Sequence, residues 1–549
     1  MAYIVYKLLF IKVRLTVPKF PYATDYKTGQ DNLMFKGFDI HAPVFPLSAI
    51  FITGFVLFTL FMPDQAKTVL YSAKDFAIQQ FDWLFSYSAN MFVLFSILLV
   101  FTPLGHIRIG GVDAKTDFSN LSWFSMLFAA GMGIGLMFWG VSEPLAYASG
   151  WYFSPLGTVP GSDEARHVAM AATLYHWTLH PWAIYAIVGL SLAFFHYNKK
   201  LPLTIRSVFY PILGERTWGW AGHIVDLLAV VATIFGLATS LGLGAQQASS
   251  GLSFLFGFDN TVNLQVLIIV SVSMVALVSV VRGLDGGVKV LSNLNMGLAM
   301  LLLLFIILFG PTLHILNSFF INLFDYFKYL IPLSETSDRA DENWYHAWTV
   351  FYWAWWISWS PFVGMFIARV SKGRTVREFI LAVLMTPSIV TLIWMSAFGG
   401  TALDQYQNGI GELANGVSDV SLSMFQMLEH LPLTMVSSFI GIILVLVFFI
   451  TSSDSGSLVV DSITAGGKTN APVSQRIFWA LMVGCIAIAL LVGGGSDALK
   501  SLQAGAVSAG LPFTIVLVIM CFSLMKALYN EHRQLKGLAP IYPPDQQDC

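Results

Sequence analysis

Apolar residues dominate this chain in long blocks, and polar or charged residues gather in the short connections between them. Blocks long enough to cross a hydrocarbon core about 30 Å thick fall near 44–63, 86–105, 120–147, 168–196, 219–249, 263–281, 288–312, 343–370, 377–400, 433–462, 474–493 and 506–529. The pattern predicts an all-α polytopic membrane protein with twelve transmembrane helices. Two amphipathic pieces, near 67–82 and 315–331, are assigned to the surface.

Two blocks contain helix breakers. The third carries Gly131-Met132-Gly133-Ile134-Gly135 and the eighth Ser360-Pro361-Phe362-Val363-Gly364. Freed backbone amides find no partner in lipid, so irregular backbone is tolerated only inside protein or beside a wet cavity. The two blocks open successive five-span groups, spans 3–7 and 8–12. An odd number of spans inverts the second group relative to the first, and interruptions at matching positions point to a substrate site. Glycine clusters also serve close helix packing, and it is the matched pair that argues for a site.

Composition agrees with the pattern. Of 549 residues 56% are hydrophobic and 11% charged, and the mean hydropathy is +0.70, outside the range of soluble globular domains. With the N-terminus inside, all of the 29 Lys and Arg except Lys67, Lys74, Arg166, Lys328, Arg339 and Lys500 fall on the inner side. That asymmetry predicts both termini in the cytoplasm. No cleavable signal is expected in residues 1–45. Cys485, Cys521 and Cys549 lie in or beyond the last two spans, which offers neither a disulfide framework nor a Cys/His metal site.

Residues 351–366 read FYWAWWISWSPFVGMF, with four tryptophans in the seven positions 353–359. At about 100° per residue the indoles of Trp355, Trp356 and Trp359 can share one helix face, and a face of indoles attracts a cation without opposite charge. A packed core stripe or an interfacial belt is the plainer alternative.

At this point the residues carry a resemblance. The stretches Gly131–Pro144 (GMGIGLMFWGVSEP), His176–Tyr185 (HWTLHPWAIY) and 351–375 resemble the betaine/choline/carnitine transporter family over essentially all twelve spans. The resemblance implies a LeuT-type 5+5 inverted repeat in spans 3–12, two leading helices and a homotrimer in a bacterial inner membrane. The chain then divides into a cytoplasmic N-terminal segment (1–45), two leading helices (46–119), a first repeat (120–312), a surface helix and loop (313–342), a second repeat (343–529) and a short cytoplasmic tail (530–549).

A methylated onium head has no N–H to donate, so stacked rings suit it better than a carboxylate. Cation–π contacts are worth roughly 0.5–1 kcal/mol when exposed and about 2 or more when desolvated. By resemblance Trp177, Trp182, Tyr185 and Trp356 form such a cage, with Trp355 and Trp359 beside it along the pathway and a kink at Pro181 to converge the rings. Backbone amides around Met132, Gly133 and Gly135 would meet an anionic end. Proton-coupled choline carriers of the family place an Asp where this chain has Gly135, so the resemblance implies the glycine betaine branch, with dimethylsulfoniopropionate, ectoine and proline as further candidates.

Na⁺ is the expected coupling ion. By resemblance Thr451 and Ser452, with carbonyls of Ala129, Met132 and Phe448, form one site, and Thr233 with Phe362 a second in which Leu237 stands where another Thr is expected. Each Na⁺ entering down a tenfold gradient and 100 mV carries about 1.4 + 2.3 = 3.7 kcal/mol. Glu143, Asp454, His176 and His180 are ionisable groups in or near the membrane, each either functional or structural. The tail carries only Arg533 and Lys536 after span 12, which argues against a basic lipid-sensing helix. The expected function is a sodium-coupled importer of a small zwitterionic onium compound. The alternatives are a proton-coupled choline importer, a sodium-independent carnitine-type exchanger, an ion channel or an intramembrane hydrolase. The lipid bilayer is a partner, nucleic acid is not, and no enzymatic role is expected.

Overall fold

The structure, a computed structural model, describes residues 24–131, 133–283 and 289–538. Its frame is α-helical: α1 Val44–Phe61, α2 Pro63–Phe101, α3 Asn120–Gly131, α4 Ile134–Ser149, α5 Asp163–Trp177, α6 Leu179–Tyr197, α7 Trp220–Phe256, α8 Val262–Gly283, α9 Lys289–Phe309, α10 Thr312–Ser334, α11 Val350–Val370, α12 Val376–Gln407, α13 Thr434–Thr464, α14 Val473–Gly494 and α15 Ala498–Leu535. Among the described residues ten helical stretches are long and apolar enough to cross a membrane. The predicted third and eighth spans are not among them. The third is split into the 12-residue α3 and the 16-residue α4, and the eighth is α11, dense in Trp and Ser.

Local chemistry explains the helix ends. Thr375 caps α12 with a reciprocal pair, its Oγ1 accepting from the Glu378 amide while Glu378 accepts from the Thr375 amide. Ser162 accepts from the Ala165 amide at the start of α5. The predicted surface piece at 67–82 is instead the first half of α2, continuous with the following span across a kink at Phe81. The piece at 315–331 is α10, which turns Leu313, Phe320, Phe324 and Ile331 outward.

Two breaks shape the interior. Gly133 is extended between α3 and α4, and Thr178, with φ −112° and ψ −113°, separates α5 from α6. The predicted interruption at Ser360-Pro361 does not occur, because α11 runs through Pro361 without a break. Proline leaves the carbonyl four residues back without its usual donor. The Ser360 hydroxyl supplies one at 2.7 Å from the Ile357 oxygen. At Pro181, by contrast, the predicted bend is a full break at Thr178, within the turn before the proline where its ring and missing N–H act, and Pro181 sits in the first turn of α6.

α11 packs along α6, α13 along α7, and α12 along α4, so the Trp-rich helix is enclosed by the broken pair and its neighbours. A short hairpin, Asn32–Phe35 with Phe38–His41, is tied to the α13–α14 connection through Asn32 to the Ala465 carbonyl and Asp39 to Lys468.

Candidate functional site

Three cavities follow α11 in sequence order. At the end nearest residue 347, a cavity of about 510 Å³ is lined by Ala347, Trp348 and Phe351 together with Lys74, Asp497 and Lys500. Next comes a small one of about 50 Å³ walled by Trp355, Trp356 and Trp359, and last one of about 130 Å³ bordered by Trp359, Phe362, Val363 and Phe366. These positions recur at three and four residues, so one face of a single helix lines all three. Phe351 stacks on Trp355 (5.5 Å, 16°) between the first two, and Trp359 borders both of the last two.

The middle cavity gathers Trp177, Trp182, Tyr185, Trp355, Trp356, Trp359, Gly133 and Gly135; Met132 lies outside the described residues. Trp177 meets Trp356 edge to face at 4.8 Å and 77°, Trp355 and Trp356 stack at 4.9 Å, and Tyr185 stands 5.3 Å from Trp182 and 6.2 Å from Trp356. The break at Thr178 puts Trp177 on α5 and Trp182 and Tyr185 on α6, so their convergence comes from two helices rather than from one kinked helix. Several indoles are pinned from outside: Trp356 Nε1 donates to the His176 carbonyl at 2.8 Å and Trp359 Nε1 to the Gly236 carbonyl at 2.8 Å.

Gly135 is where backbone approaches ring. A Cβ there would lie 2.6 Å from the Trp177 indole and 3.1 Å from that of Trp355, well inside contact distance. Any side chain at 135 must displace Trp177. On the same wall α4 begins at Ile134, and among the described residues no side chain caps this start; an uncapped helix start of this kind can receive an anion.

The third cavity brings together Ala129, Phe362, Phe448, Thr451 and Ser452, with Ser292, Asn295 and Ser455. Thr451 Oγ1 donates back to the Val447 and Phe448 carbonyls at 3.0 and 3.1 Å. Thr233 is not among the lining residues; it is buried on α7 and its hydroxyl is bonded to the Ala229 carbonyl. Leu237 packs against Gly456. The structure thus gathers the first proposed ion set except Met132, and leaves Thr233 apart from Phe362's cavity. Asp454 accepts from Ser279 at 2.5 Å, and His180 Nε2 pairs with Asn90.

Ser240 on α7 and Thr391 on α12 also line the middle cavity. Sequence reasoning passed over both, since lone hydroxyls in apolar helices usually bond their own backbone.

A ring-walled cavity beside a helix break, in a bundle of membrane-length helices, is the arrangement of a membrane transport site. The chain belongs to the BCCT family, the betaine/carnitine/choline family of transporters, whose profile matches residues 43–533. It is 60% identical over 513 residues (93% of this chain, 98% of the relative) to glycine betaine transporter 1 of Vibrio parahaemolyticus. A glycine betaine/proline/choline/ectoine transporter of the same organism is 56% identical over 516 residues (92% and 91%). The glycine betaine transporter OpuD of Bacillus subtilis is 43% identical over 492 residues (89% and 94%).

Proposed function

We propose that this protein is a sodium-coupled secondary importer of a methylated-onium zwitterion, glycine betaine or a close analogue, working by alternating access along α11. The observation that carries the reading is the order of the three cavities on that helix: a larger cavity at the Ala347 end, a ring-walled chamber and a hydroxyl-lined chamber, divided by Phe351 with Trp355 and by Trp359. The onium head fits among Trp177, Trp182, Tyr185 and Trp356, where desolvated cation–π contacts are worth about 2 kcal/mol or more. The carboxylate fits the uncapped start of α4. The names of the relatives support this choice of substrate.

Na⁺ takes hard oxygen ligands, and Thr451 and Ser452 with the Ala129 and Phe448 carbonyls supply them beside the chamber. Met132 completes the set by resemblance. A second ion belongs to the same reading at Thr233 and Phe362, of which Phe362 lines the hydroxyl-lined chamber. The twelve spans, the inverted repeat, the homotrimer and cytoplasmic termini in a bacterial inner membrane belong to the same reading.

Uptake of radiolabelled glycine betaine into proteoliposomes, with Na⁺ and proton gradients imposed separately, tests it. Uptake is expected with the Na⁺ gradient alone and weak competition from choline. Proton-driven uptake, or exchange without an ion gradient, would move the chain to the choline or carnitine type. The relative named for proline, choline and ectoine makes those three compounds the competitors to include.

A further inference from the structure

The ring chamber has a support that does not touch its contents. Glu143, on α4, is fully buried and is not among the residues lining the chamber. Its Oε2 accepts from Trp177 Nε1 at 2.6 Å and from the Tyr352 hydroxyl at 2.5 Å. Its Oε1 meets the Tyr147 hydroxyl at 2.9 Å and His176 Nδ1 at 3.0 Å. His176 passes the chain of bonds on, Nε2 pairing with the Thr349 hydroxyl at 3.0 Å and its carbonyl accepting from Trp356 Nε1. One carboxylate therefore joins α4, the end of α5 and α11 behind the two rings that stand edge to face.

Packing alone does not account for a carboxylate here. A buried acid is costly unless its oxygens are satisfied, and an apolar side chain would fill the space without that cost. The indole N–H can only donate, so its bond to Glu143 fixes the plane of Trp177. Trp355 is the contrast: among the described residues its buried Nε1 has no hydrogen-bond partner.

We propose that Glu143 is the positioning residue of the chamber, orienting Trp177 directly and Trp356 through His176, and sharpening the recognition of the onium head without touching it. The inference rests on the aromatic-cage reading above. Kinetics of glycine betaine uptake in proteoliposomes test it, with KM and Vmax measured separately for purified variants. Glu143→Met, of similar length but without an acceptor oxygen, is expected to raise KM about tenfold or more with Vmax within about threefold, and Glu143→Asp to recover part of the loss. Trp177→Phe alone should also raise KM about tenfold, yet add less than about twofold in the Glu143→Met background, since both changes remove one shared interaction.

A wild-type KM for Glu143→Met, additive effects of the pair, or a fall in Vmax with KM unchanged would overturn the proposal. Should Glu143→Met not yield folded protein, Tyr352→Phe decides. It deletes one bond and leaves the carboxylate, and a KM raised about threefold supports the proposal while an unchanged KM overturns it. If Trp177→Phe itself leaves KM unchanged, the cage reading falls and this inference with it; a Trp177 effect without a Glu143 effect sinks this inference alone.

Discussion

The two chambers that meet at Trp359 are built in opposite ways. Around the rings, N–H groups reach other parts of the fold: Trp177 to Glu143, Trp356 to the His176 carbonyl, Trp359 to the Gly236 carbonyl. Around the hydroxyls the bonds stay within one helix, Thr451 returning to Val447 and Phe448. A bond between elements holds a side chain only while both keep their places, whereas a bond within a helix survives any rigid movement of that helix. The ring chamber is thus sensitive to how α4, α5, α6 and α11 are packed. The Thr451 hydroxyl keeps its orientation wherever α13 moves.

Substitutions that separate the two chambers sharpen this contrast, and the largest effect is expected at the hydroxyls. Thr451→Ala removes an oxygen from a charged ligand's shell, worth roughly 1.5–3 kcal/mol, and should raise the Na⁺ concentration for half-maximal uptake by roughly 10–150-fold. Glycine betaine binding, read by tryptophan fluorescence at saturating Na⁺, should change little. Comparable losses in both would show that the chambers act as one.

Gly135→Ala comes next. Its Cβ would press on Trp177 at 2.6 Å, and overpacking of this kind costs about 1–3 kcal/mol. Affinity for glycine betaine should fall by roughly 5–150-fold, with Na⁺ dependence retained. An affinity equal to wild type would mean that the Trp177 ring is free to shift. Trp356→Leu should cost about 0.5–2 kcal/mol, a loss of roughly 2–30-fold that competition by other onium compounds would measure.

The smallest effect lies far from both chambers. His41 is buried at the hairpin with Arg206 and His223 nearby, and burial, then those neighbours, push its imidazole down to about 3. The unfolded segment takes up a proton near pH 6.5, while the docked hairpin stays neutral. Docking is therefore fully stable above about pH 6.5 and weakens progressively as pH falls toward 3. Protection of the amides at residues 32–41, after correction for the intrinsic slowing of exchange at lower pH, should fall between pH 7 and pH 5, and His41→Gln should abolish that dependence.

Much of the site was legible because residue type alone carries it. The Trp run, the glycine run and the hydroxyl run each announce a chemistry, and the structure brings those stretches to successive chambers on α11. Glu143 was visible as a buried acid, but not as a hub, since its partners come from positions 147, 176, 177 and 352. Ser240 and Thr391 left no signal. Thr233 and Thr451 both bond back to their own helices, so that bond does not tell the two expected ion positions apart.

The helical, membrane-spanning character of the chain and the location of its aromatic and hydroxyl stretches follow from composition read locally, because burial in lipid depends on the sum of side chains over about twenty residues. Where the helices actually break does not. Pro361 fails to interrupt α11 because a neighbouring hydroxyl satisfies the carbonyl it strands, while Pro181, in the first turn of α6, accompanies a full break at Thr178. Which outcome follows depends on the partners that reach the backbone at each point: at Ile357 a hydroxyl three residues along the chain, at the end of α5 the Trp356 indole, which bonds the His176 carbonyl from 180 residues away.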